Sequence, residues 1–161
     1  MIPFTYEGKE FTELDQVEEY SNSFYDGYGN DGFDHDAASE SASKFYDCVR
    51  NHIFKLLHKL TLETNPNSDA YEKLKDEIVD LGTIIDFFCD CYDCETTEYD
   101  LEDGWANRIN YFRDEDDKTI MYAMAYTESP YYGIEDPRFY AVKEVQKVVT
   151  AYEEIESKYD N

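Results

Sequence analysis

The stretch SESASKFYDCVRNHIFKLLHKLTL, residues 39–62, carries the strongest helical signal in the chain. On a helical wheel Phe45, Val49, Ile53, Leu56, Leu57 and Leu60 share one face, while Lys44, Lys55 and Lys59 gather on the other. This predicts a helix over residues 39–62. Asn65-Pro66-Asn67 ends it, and the Ser68 hydroxyl can cap the next helix. That second helix is predicted over residues 69–92, burying Leu74, Ile78, Leu81, Ile85 and Phe88. Joined by a short turn, the two helices make an antiparallel αα-hairpin.

Upstream, residues 4–11 alternate around Gly8 and read as a short β-hairpin. Thr12 with Asp15 suggests a helix start, followed by Leu14, Val17, Tyr20 and Phe24 at helical spacing. Residues 26–36 are loop chemistry. They fail as a calcium loop, because setting Gly32 sixth places Gly27 and Gly29 where carboxylates belong. Downstream, residues 108–113 and 119–127 read as two strands, with Ile120, Tyr122, Met124 and Tyr126 on one face. Asp136-Pro137 reads as a helix start, and Val142, Val145, Val149, Tyr152 and Ile155 predict a final helix reaching Lys158. The expected fold is α+β: one helix-dominated domain over residues 1–161 with a long αα-hairpin, a C-terminal helix and a β-hairpin.

Charge narrows the function. Thirty-eight acids against fourteen bases give a net charge of −24, while 42% hydrophobic residues argue for a folded core rather than an acidic tail. Residues 1–43 hold eleven acids and one base, and residues 63–104 hold fourteen acids and two bases. Residues 44–62 are net positive. Such an excess costs stability through self-repulsion. Salt adaptation fits poorly with lysines outnumbering arginines ten to four, and solubility needs far less charge. A basic protein partner is the remaining explanation, and direct contact with nucleic acid is disfavoured by phosphate repulsion. The chain has no apolar run of membrane-spanning length and begins without a secretion signal, so a cytoplasmic setting is expected.

Little points to catalysis. His35, His52 and His58 do not converge, and no nucleophile elbow, phosphate loop or metalloprotease motif occurs. Cys89, Cys91 and Cys94 crowd into six residues with no second ligand pair, so neither a metal nor any other cofactor is expected. The chain is read as a non-enzyme.

Two segments are candidates for partner binding. On the predicted second helix Glu72, Asp76, Asp80, Asp86, Asp90 and Asp93 fall opposite the apolar face. Carboxylates four residues apart rise about 6 Å along a helix, close to the spacing of phosphates on a nucleic-acid strand. Phe87 and Val79 lie among them, with Phe87 read as an exposed anchor. The alternative is a solvated helix face. The second segment, Glu95 to Trp105, places Glu98, Tyr99, Asp100, Glu102, Asp103 and Trp105 on a loop, where the aromatics could stack on partner arginines or Trp105 could plug the core.

In size, charge and aromatic content the chain resembles small phage-encoded inhibitors of host defence, the anti-CRISPR and anti-restriction proteins. The resemblance is one of composition over the whole length and assigns no residue a role. It implies a protein that blocks a CRISPR effector nuclease or a restriction enzyme, some members by presenting charge as DNA does. Immunity proteins that neutralise nuclease toxins are also acidic, and a non-inhibitory acidic adaptor or structural phage protein is a third reading.

Overall fold

The computed structural model describes residues 1–100, 102–131 and 133–145. Among them the chain forms three α-helices and six strands in two antiparallel sheets. Strands β1 (Phe4–Tyr6) and β2 (Lys9–Phe11) make the expected hairpin. Glu7 and Gly8 both take positive φ, 46° and 79°, which suits a two-residue turn between twisted strands. Its Phe4 and Phe11 rings stack at 5.0 Å, and Phe11 continues into a cluster with Tyr20 and Phe45.

Helix α1 (Leu14–Ser23) starts differently from expectation. Asp15 does not serve Thr12; Gln16 accepts the N–H groups of Thr12 at 2.8 Å and Glu13 at 3.2 Å. Helix α2 (His35–His58) begins four residues earlier than expected because Asp34 caps the Ala37 N–H at 3.0 Å. Its buried face is the predicted one, with Phe45, Val49, Ile53 and Leu57 fully inaccessible. A π-helical turn, Lys59–Glu63, relaxes its end, and the Thr61 and Thr64 hydroxyls donate back to Leu57 and Lys59 carbonyls. Ser68 caps α3 (Asp69–Ile84) by accepting from Tyr71 N–H at 3.2 Å, and α2 packs on α3.

The second helix is shorter than the wheel suggested. It stops at Ile84, Asp86 turns left-handed at φ 56°, and a single 3₁₀ turn (Phe87–Cys89) drives Phe87 and Phe88 into the core. Gly82 makes the reversal possible: a Cβ there would lie 2.4 Å from the Phe88 ring.

The C-terminal half is a four-stranded meander, β3 (Asp93–Tyr99), β4 (Ala106–Arg113), β5 (Met121–Ser129) and β6 (Gly133–Val142), in that spatial order. Its inner face carries Phe112, Tyr122, Met124 and Phe139, which join the helical core. Aromatic contacts tie the layers together: Phe87 stacks on Phe112 at 4.8 Å and meets Phe54 edge-on at 5.4 Å.

The predicted C-terminal helix is corrected here. Residues 137–142, its expected first turns, belong to β6, pairing Phe139 with Met124 and Ala141 with Tyr122. Asp136 takes φ 48° and Pro137 sits where the ladder skips, between the pairs Arg138–Ala125 and Glu135–Thr127. A proline without an N–H fits at such a bulge as readily as at a helix start. Residues 146–158 of that prediction lie outside the described residues. No helix among the described residues is long and apolar enough to cross a membrane.

Candidate protein-binding surface

The predicted acidic stripe does not form one row. Glu72, Asp76 and Asp80 are exposed on α3, Asp86 and Asp90 sit on the turn after it, and Asp93 opens β3. Glu72 is partly satisfied by Lys75 at 2.8 Å. Burial first, and then the neighbouring Asp76 charge, holds the Asp80 carboxyl above its usual range. Asp90 pairs with Arg50 at 2.9 Å, whose guanidinium lies 5.1 Å above the Phe87 ring.

Phe87 is not an interface anchor. It is 1% exposed, enclosed by Phe54, Phe88 and Phe112. Val79 is likewise half-buried against the core. The wheel had carried Phe87 into the acidic face by continuing the helix through Asp86.

The second candidate segment is better organised. Residues 93–99, expected as helix end and loop, form the edge strand β3, exposed along its whole length. Its register pairs Asp93 with Tyr111, Glu95 with Ile109 and, past a bulge, Glu98 with Asn107. The three carboxylates therefore share the outer face of the sheet, about 7 Å between alternate residues. Two of them are held in place by their neighbours: Glu95 accepts from the Tyr111 hydroxyl at 3.2 Å and Glu98 from the Asn107 carboxamide at 3.0 Å. The same face carries Ala123, Ala125, Tyr140 and Glu135 on the next strands, together with one exposed cation, Arg138, which pairs with Ala125.

Tyr99 is 55% exposed at the end of β3. Asp100 spends its carboxylate inside the loop, accepting Glu102 N–H at 2.9 Å and Asp103 N–H at 3.2 Å. Glu102 and Asp103 are exposed, and Trp105 is half-buried in a cleft with Pro130 and Tyr131. Sequence reasoning placed Glu95 at the start of the second segment but missed Tyr131, Tyr140 and Glu135. Those three required β6, which no local periodicity announced.

Elsewhere an open groove of about 910 Å³ runs between α2 and the β4–β5 loop, lined by Asp47, Asp90, Asp114, Glu115 and Asp116. It carries its own cations. Arg50 is paired with Asp90, and Arg113 bonds Glu144 at 2.6 Å while stacking 3.9 Å over Tyr92. The cysteines are free thiols, and no group of three metal-ligating side chains occurs among the described residues. Burial chiefly, then the neighbouring Cys94, pushes the Cys91 thiol up. The histidines lie apart: His52 is buried against Phe4, His58 approaches the Tyr122 hydroxyl at 3.3 Å, and His35 packs on Tyr28 and Phe33.

No protein-family model matches the chain, and neither a curated protein nor a solved structure matches it.

Proposed function

We propose that this chain is a protein inhibitor that docks on the basic, nucleic-acid-handling surface of a nuclease, with CRISPR effectors and restriction enzymes as the first targets to test. The observation that supports this reading is the make-up of the sheet. Among the described residues, five of the eight exposed large apolar or tyrosine side chains, Tyr92, Tyr99, Tyr131, Tyr140 and Val145, belong to or border the four-stranded sheet. Carboxylates Asp93, Glu95 and Glu98 line the same sheet's outer face.

Tyrosines offer large contact area at little entropic cost, and a fixed row of carboxylates complements lysines and arginines. The combination suits a basic protein surface far better than a phosphate backbone, which the net charge of −24 repels. Long-range attraction steers encounter, and the aromatics then slow dissociation. The α3 carboxylates add to steering in this reading without forming the contact.

The experiment is a cleavage assay on a panel of guide-loaded CRISPR effectors, restriction enzymes and nuclease toxins, each titrated with the purified chain. The reading expects stoichiometric inhibition of at least one effector or restriction enzyme, weakening as salt rises. Inhibition of a toxin alone would assign the chain to immunity proteins, and activity of every nuclease at saturating chain would overturn the reading.

A further inference from the structure

The antiparallel meander brings the β3–β4 and β5–β6 loops to the same end of the sheet. Between them lies a cleft of about 620 Å³ on the outer face. Trp105, Pro130 and Tyr131 line it, and Glu102, Asp103 and Glu135 bring three carboxylates to it. Behind them the Thr127 hydroxyl donates to Asn107 at 2.8 Å, and Asn107 in turn donates to Glu98 at 3.0 Å. These neutral groups already engage one another, so the charge in the cleft comes from the carboxylates.

None of the described residues lining the cleft is a base. That separates it from the larger groove, where Arg50 and Arg113 are already engaged with acids of the same chain. The β3–β4 loop is also pre-shaped. Asp100 holds the Glu102 and Asp103 N–H groups, and Gly104, at φ 73°, donates its N–H back to the Asp100 carbonyl at 2.9 Å. The carboxylates of Glu102 and Asp103 are thus carried on an ordered turn.

We infer that this cleft receives an arginine side chain of the partner protein, its guanidinium stacked on Trp105 or Tyr131 and bonded by the carboxylates. A guanidinium is planar, weakly hydrated and stacks on aromatic faces, whereas the compact lysine ammonium does so less well. An aromatic and acidic pocket with no counter-ion among its described lining residues selects for that chemistry. The inference deepens the proposed function and rests on it for the identity of the partner, though not for the site itself.

Trp105 is the only tryptophan, so its indole N–H resonance and its fluorescence report on the cleft directly. The test titrates the chain with the blocked peptides acetyl-Gly-Arg-Gly-amide, its lysine counterpart and its citrulline counterpart, which keeps the shape and loses the charge. The arginine peptide should shift Trp105 saturably, the lysine peptide should bind at least about threefold more weakly, and the citrulline peptide should not saturate. E102Q/D103N/E135Q should weaken arginine binding at least about fivefold, as should Tyr131→Ala at a side chain 85% exposed. D76N/D80N on α3 should leave it unchanged. Equal, non-saturating drift with arginine and lysine peptides, or full binding by the triple variant, would overturn the assignment. If the cleft binds arginine while no nuclease is inhibited, the inhibitor reading fails and the cleft stands. If a nuclease is inhibited while the peptide does not bind, the cleft assignment fails and the inhibitor reading stands.

Discussion

Replacing Phe87 with alanine separates the core role of this ring from the surface role that a helical wheel assigns it. The side chain is 1% exposed, stacks on Phe112 at 4.8 Å and meets Phe54 and Phe88 edge-on at 5.4 Å and 5.5 Å. Truncating a buried phenylalanine costs about 3–5 kcal/mol in lost transfer energy and cavity. The Arg50 guanidinium, 5.1 Å above the ring, loses a partner as well. Domains of this size are held by about 5–15 kcal/mol in total, so the variant forfeits a large share of its stability. Urea unfolding followed by circular dichroism is the assay. With a slope of about 2 kcal/mol per molar, the midpoint should fall by about 2 M. An exposed ring would change stability by about 0.5 kcal/mol or less. A midpoint within about 0.3 M of the parent would refute the burial argument and return Phe87 to the surface.

Three further outcomes are expected. Gly82→Ala gains helix propensity of up to about 1 kcal/mol, but its Cβ would lie 2.4 Å from the Phe88 ring. Overpacking should win, lowering stability by about 1–3 kcal/mol in the same urea assay, where a rise would show that Phe88 moves freely. Burial holds the His52 imidazole below its usual 6.5, so the folded state binds fewer protons than the unfolded chain. Stability should be full above pH 6.5 and fall as pH drops below it, a slope that His52→Phe should abolish. Glu77 and Asp80 are raised, mainly by burial, so they act oppositely at lower pH, regaining stability as they protonate. A urea midpoint flat between about pH 7.5 and about pH 5.5 would count against the His52 assignment. Finally, D76N/D80N on α3 should melt no lower than the parent, because it relieves repulsion, and a drop of several degrees by calorimetry would contradict that.

The helical half was legible because its apolar residues repeat at one period between clear stops. Val49, Ile53 and Leu57 name their face, Asn65-Pro66 ends the segment, and Ser68 starts the next. The errors arose where one local pattern serves two structures. Asp136-Pro137 followed by valines reads as a helix start, yet long-range pairing of Phe139 with Met124 places it in a strand with a bulge. Leu81, Ile85 and Phe88 keep helical spacing across Asp86, whose left-handed turn no periodicity reveals. Strand β3 hid for the opposite reason: as an exposed edge it buries nothing, so no apolar alternation marks it. Acidic residues and Trp105 could be singled out from the sequence, but which of them share a face depended on β3 and β6.

Whether the outer face of the sheet makes the contact can be read by hydrogen–deuterium exchange on the chain alone and bound to a nuclease it inhibits. Amide exchange should slow on β3, the β3–β4 loop and the β5–β6 loop, while the exposed face of α3 should exchange as in the free chain. Protection confined to α3, with β3 and both loops unchanged, would contradict the account.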